Sequence, residues 1–196
     1  MERDRLTAFT DGVLAIIVTI MVLEMRPPHG TELSDLLRLW PVFLSYVLSF
    51  VYVGIYWNNH HHFFQLVQTV DGGMLWANLH LLFWLSLIPF ATAWMGENHF
   101  APTPTALYGL SLLTAALAWL VLQQVIIRGQ GPASPLHRAL GGDLKGKLSP
   151  FLYLAGAGLA YVDTRISGLL YTAVALMWLI PDRRIEQRLK SDAEAS

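Results

Sequence analysis

The sequence predicts an all-α integral membrane protein, and three observations carry that reading. Of 196 residues, 54% are hydrophobic and only 14% charged, where an ordinary soluble domain carries about 25% charged residues. Runs free of Asp, Glu, Lys and Arg occupy residues 39–57, 74–96 and 101–127, and about 20 such residues cross the hydrocarbon core of a bilayer. The 13 basic side chains are also unevenly placed along the chain, as the loops of a membrane protein are. The same composition excludes other classes. With 14 acidic residues the net charge is only −1, which leaves no basic face to displace counterions from nucleic acid. With no cysteine, disulfide scaffolds, zinc ribbons and thiol chemistry are excluded.

Six spans follow in order. The first, about 6–26, is apolar apart from Asp11 and Glu24. Arg3 and Arg5 would suit a signal peptide, but Asp11 interrupts the apolar run and Glu24-Met25-Arg26-Pro27-Pro28 offers no small-residue cleavage site, so it reads as a retained helix. Pro27-Pro28 ends it, because proline lacks the amide donor and clashes with the preceding turn. Residues 31–39 read as a short amphipathic approach to the second span, about 39–63. Asp71-Gly72-Gly73 reads as a turn before the third, about 74–96. Pro102 and Pro104 flank the start of the fourth, about 102–128, and 129–147 is the one long loop. The fifth and sixth spans, about 148–162 and 165–181, form a tight hairpin whose polar turn is Asp163-Thr164-Arg165. Pro181 closes the six-helix domain, 1–181, and 182–196 is a charged cytosolic tail.

With six spans both termini share one side. That side carries Arg3, Arg5, Arg128, Arg138, Lys145, Lys147, Arg183, Arg184, Arg188 and Lys190, and the other only Arg26, Arg38 and Arg165. Basic loops stay in the cytosol, so both termini are expected there, in the cytoplasmic membrane.

Polar residues inside spans face protein or water rather than lipid. On a helix wheel Ile16, Thr19, Ile20 and Leu23 share one stripe of the first helix, while Asp11 lies about 140° from Ile16. Asp11 therefore cannot share a narrow lumen with that stripe and needs a polar partner in its own subunit. Arg5, Trp57, His61 and Asn78 lie toward the same end and form the expected network. A helix-packing role explains an Ile/Leu stripe equally well at this level. His60-His61-His62 makes a poor metal site, since neighbours on a helix diverge by about 100°. No GxSxG, HExxH, Walker or dinucleotide motif is present, so no enzyme and no cofactor is expected.

Arg5-Leu6-Thr7-Ala8-Phe9-Thr10-Asp11-Gly12 resembles the RxxxFSD signature of the transmembrane protein 175 family of potassium channels, with Thr10 keeping the hydroxyl of the usual serine. Tyr56-Trp57 followed by histidines, Asn78, and Pro89-Phe90 extend the resemblance over the first ninety-odd residues. It implies one six-helix unit per subunit, a homotetramer, and a potassium pore on the oligomer axis lined by the first helix. Ile16 would then be the main constriction, Thr19 a polar ring, and Leu23 the next apolar ring, with Ile20 narrowing the neck. The signature residues Arg5, Phe9, Thr10 and Asp11, with Trp57, His61 and Asn78, would hold that helix in place. No span carries an arginine ladder, so the expected conductance is a voltage-independent leak. Two other readings compete: a non-conducting structural subunit, and a proton-coupled small-solute transporter using Asp11 and the histidines.

Overall fold

The structure, a computed structural model, describes residues 3–67, 69–131 and 144–179. Among them are eight helices: α1 (Arg3–Leu23), α2 (Leu33–Leu37), α3 (Trp40–Gln65), α4 (Gly72–Leu85), α5 (Ile88–Glu97), α6 (Pro102–Gln130), α7 (Leu144–Leu159) and α8 (Thr164–Leu179). The middle of the long loop, Pro181 and the 182–196 tail lie outside the described residues.

Four segments are long and apolar enough to cross a membrane: α1, α3, α4 together with α5, and α6. α7 and α8 have 16 residues each, about 24 Å of helix, shorter than the roughly 30 Å hydrocarbon core. The described residues thus contain four full-length candidate spans where the sequence suggested six.

The third apolar run is one stretch by composition but two helices in space. α4 ends at Leu85 and α5 starts at Ile88. Pro89 has no N–H to give and its ring clashes with the carbonyl four residues back, that of Leu85. The chain bridges the break with short-range bonds, Ser86 N–H to Leu82 O (2.9 Å) and Leu87 N–H to Trp84 O (3.3 Å). Asp71 is the N-cap of α4, its carboxylate accepting the Met74 N–H at 2.8 Å, so Gly72 and Gly73 belong to the first helical turn. The hairpin turn has the same device: the Asp163 carboxylate accepts the Arg165 N–H at 2.9 Å.

α6 is the central post, packed on α4, α5, α7 and α8, while α1 lies on α3, α4 and α5. Two apolar cores result. One joins α1, α3, α4 and α6 through Leu14, Ile17, Phe63, Leu81 and Leu122. The other joins α3, α5, α6, α7 and α8 around Tyr52, Tyr108, Tyr153 and Tyr171. Several of its hydroxyls are paired internally, as a lipid setting demands: Ser49 bonds Tyr108 (2.9 Å) and Thr92 (2.7 Å), and Tyr171 donates to the Thr105 carbonyl (3.2 Å). The exterior is strongly apolar, with Phe43, Leu44 and Phe50 on α3 and Phe83 and Phe90 on α4 and α5 all exposed.

α5 approaches the backbone of α3 closely at Gly96. A Cβ there would stand 2.8 Å from the Cα of Val42, and backbone cannot swing aside. Overpacking of this kind costs about 1–3 kcal/mol, partly offset by about 1 kcal/mol of helix propensity. Gly96→Ala is expected to destabilise the subunit by about 1 kcal/mol net, and by no more than about 2 kcal/mol, read by thermal melting in detergent. An unchanged melting temperature would mean that the two helices part without cost.

Candidate functional site

α1 divides cleanly into two faces. Leu6, Thr10, Leu14, Ile17 and Met21 are buried, spaced 4, 4, 3 and 4 apart as one helical stripe requires. They pack on the rest of the subunit. Ile16 (58% exposed), Ile20 (39%) and Leu23 (79%) lie on the uncovered face, and Thr19 is exposed beside them. Four residues named as a constriction thus form one open stripe turned away from their own subunit. The Thr19 hydroxyl donates to the Ile16 carbonyl at 2.8 Å. Its proton is held by the backbone, which leaves the oxygen lone pairs for an outside partner.

The polar residues near the start of α1 fall into two separate groups rather than one network. Asp11 accepts a hydrogen bond from the Trp57 indole N–H at 3.0 Å. Both residues are exposed, so this pair sits at the rim of the subunit. Thr10, 1% exposed, belongs to the second group. Its Oγ1 accepts from the Asn78 side-chain amide at 2.9 Å, and the Asn78 carbonyl oxygen meets His60 Nε2 at 3.0 Å. Asn78 and His60 are each 2% exposed, so a fully buried chain of Thr10, Asn78 and His60 ties α1 to α4 and α3.

Two expectations are therefore corrected. Asn78 pairs with Thr10 and His60, not with Asp11. His61 stacks on Trp57, with ring centroids 6.2 Å apart, and hydrogen-bonds Gln65 at 2.9 Å. It touches Asp11 only through Trp57. The reason is helical geometry: His60 continues the buried stripe of Tyr52, Val53 and Phe64, whereas His61 falls one turn from Trp57 on the outer face. Extending α3's apolar stripe by i+3 and i+4 steps would have selected His60. Arg5 is exposed and makes no hydrogen bond or ion pair among the described residues, and Phe9 is 55% exposed. The three histidines diverge as the wheel requires, toward Asn78, Gln65 and the Asn58 carbonyl (2.8 Å from His62).

A face of apolar residues with one polar ring, left open by the subunit and anchored from behind, suits a wall that is completed by other copies or by lipid. Several known channel proteins resemble this chain. The family described as "Endosomal/lysosomal potassium channel TMEM175" matches residues 5–89. A potassium channel of Chryseobacterium sp. (strain P1-3) is 52% identical over 192 residues, 98% of this chain and 100% of that protein. The human endosomal/lysosomal proton channel TMEM175 is 29% identical over 103 residues, 46% of this chain and 20% of its own length. The crystal structure of a lysosomal potassium-selective channel TMEM175 homolog from Chamaesiphon minutus matches with a TM-score of 0.81 at 28% identity. That match covers 91% of this chain and 97% of that one. With its apolar helices, this makes the chain a multi-pass membrane protein.

Proposed function

This chain belongs to the TMEM175 family of channels, and from that premise we propose that it is a potassium channel, not an enzyme, whose pore is assembled from several copies of α1. The observation that carries the reading is the open stripe of Ile16, Thr19, Ile20 and Leu23. One chain encloses no lumen along that stripe, so further copies around a central axis supply the missing wall; the family resemblance implies that there are four, a homotetramer. Isoleucine and leucine rings form a narrow, poorly hydrated neck that closes by dewetting. No carbonyl cage is involved; potassium, which sheds its hydration shell more readily than sodium, is favoured modestly. The Thr19 oxygens, their protons turned to the Ile16 carbonyls, replace part of the lost water.

The Asp11–Trp57 pair and the Thr10–Asn78–His60 chain hold α1 against α3 and α4 and so set the width of the neck. With no arginine ladder in any span, the leak is voltage-independent. The uneven spread of basic residues supports a cytosolic position for both termini, with the protein in the cytoplasmic membrane.

The test is potassium influx into proteoliposomes against protein-free vesicles, with sodium as the competing ion. Influx faster for potassium than for sodium, through a conductance that does not depend on the sign of the membrane potential, is the expected result. No influx from well-folded protein would transfer the reading to a non-conducting subunit. Uptake that saturates with a small solute and needs a proton gradient would transfer it to a coupled transporter.

A further inference from the structure

The short helix α2 takes no part in the channel reading. It connects α1 to α3, two segments long and apolar enough to cross a membrane, so it lies at the membrane surface that both helices reach. Leu33, Leu36 and Leu37 fall within about 100° of one another on its wheel, and Ser34, Asp35 and Arg38 occupy the opposite side. The three leucines are 56–69% exposed, and no residue of α2 is buried.

Such a helix needs a surface to lie on. α2 has five residues, and a helix that short is marginal in water. Its polar groups serve its own cap: the Glu32 N–H donates to the Asp35 carboxylate at 3.3 Å. Its leucines belong to neither apolar core. The stripe does not stop at Leu37. Trp40, Phe43 and Leu44, all exposed, continue it onto the first turns of α3. Trp40 lies against Phe100, ring centroids 5.8 Å apart, in the turn between α5 and α6, so a second turn between spans marks the same level. Tryptophan concentrates at that level of a bilayer. Glu32, Asp35 and Arg38 are of mixed sign and form no block that would recruit a complementary protein patch or an anionic headgroup. We propose that α2 docks on the lipid bilayer, its three leucines and Trp40 in the boundary between headgroups and acyl chains and its charged side in water.

The chain from Leu23, the last residue of the open α1 stripe, reaches α2 through Pro27-Pro28, whose fixed φ angles stiffen the link. The depth of α2 in the bilayer therefore bears on the Leu23 end of the neck, a consequence that rests on the channel reading above.

With no cysteine in the chain, one introduced cysteine carries one nitroxide label. The full chain, labelled in turn at Leu33→Cys, Leu36→Cys, Leu37→Cys, Ser34→Cys and Arg38→Cys, is reconstituted in phosphatidylcholine vesicles. Power saturation reads collisions with oxygen, which concentrates in lipid, and with nickel ethylenediaminediacetate, which stays in water. The three leucine positions should favour oxygen and the other two nickel, with the same pattern when anionic phosphatidylglycerol is added. Nickel favoured at all five positions overturns the docking. Leucine positions shielded from both reagents overturn lipid as the occupant and assign the face to a second copy. A preference for oxygen that needs phosphatidylglycerol overturns the apolar cause. Each leucine position decides independently, so one poorly folded variant does not obscure the result. In proteoliposomes, Leu36→Glu combined with Leu37→Glu, which lifts the helix off the bilayer, should change potassium influx about twofold or more. Unchanged influx overturns the link to the neck, whereas no influx from the wild type overturns the channel reading and leaves the docking result standing.

Discussion

Replacing Ile16 with asparagine will raise potassium influx about tenfold or more and blunt the preference for potassium over sodium, while leaving the subunit's stability within about 0.5 kcal/mol. The two halves of this expectation have one cause. Ile16 is 58% exposed, so its side chain adds little to the fold of its own subunit, and surface substitutions are nearly neutral. In the proposed tetramer the same side chain appears four times around one neck. Four carboxamides hold water where four isoleucines repel it, and each 1.4 kcal/mol taken off the barrier is tenfold in rate. The neighbouring residue is the control. Ile17 is 2% exposed and packs in the core with Leu14 and Met21. Ile17→Asn buries an amide with no partner and should cost about 3 kcal/mol or more. Paired proteoliposome influx and detergent melting separate the two positions. Equal flux in the wild type and Ile16→Asn, with both folded, would remove Ile16 from the neck.

That contrast shows how much of the site was legible in the sequence. The wheel separates Ile16, Thr19, Ile20 and Leu23 from Asp11 by angle alone, and the structure leaves that stripe open and packs the Leu14–Ile17 stripe. What the wheel cannot supply is which neighbour faces which residue. Three adjacent histidines sample three directions, and only the packing of α3 on α4 selects His60 for Asn78. The long apolar runs gave the helices, but hydropathy measures solvent preference and not helix continuity. The break at Ser86 and Leu87 was therefore hidden in a run with no charge, although Pro89 carries its cause. The shortness of α7 and α8 was legible from Asp163 and Arg165. How copies of the chain meet was not, because an exposed apolar face reads the same whether lipid or another subunit covers it.

The second large effect is expected at Asn78. Asn78→Leu removes both hydrogen bonds of the buried chain at once and strands the Thr10 hydroxyl and a His60 ring nitrogen away from water. Each net hydrogen bond contributes about 0.5–1.5 kcal/mol, and each buried group left unpaired costs about 1–3 kcal/mol. With two such groups, a loss of about 2–6 kcal/mol follows, visible as a large fall in melting temperature. Thr10→Val alone leaves only the Asn78 amide without its acceptor and should cost less. Thr10→Val combined with Asn78→Leu should cost less than the sum of the two, because residues in one network are coupled. Strict additivity would mean that the bond between them carries no weight. Asp11 gives the opposite outcome although it is the next residue in the chain. Its bond to Trp57 lies at the exposed rim, and Asp11→Asn keeps an acceptor for the indole, so stability should move by no more than about 0.5 kcal/mol. Two adjacent signature residues thus separate by experiment: Thr10 is read in the melting temperature through Asn78, and any effect of Asp11 must appear in the flux.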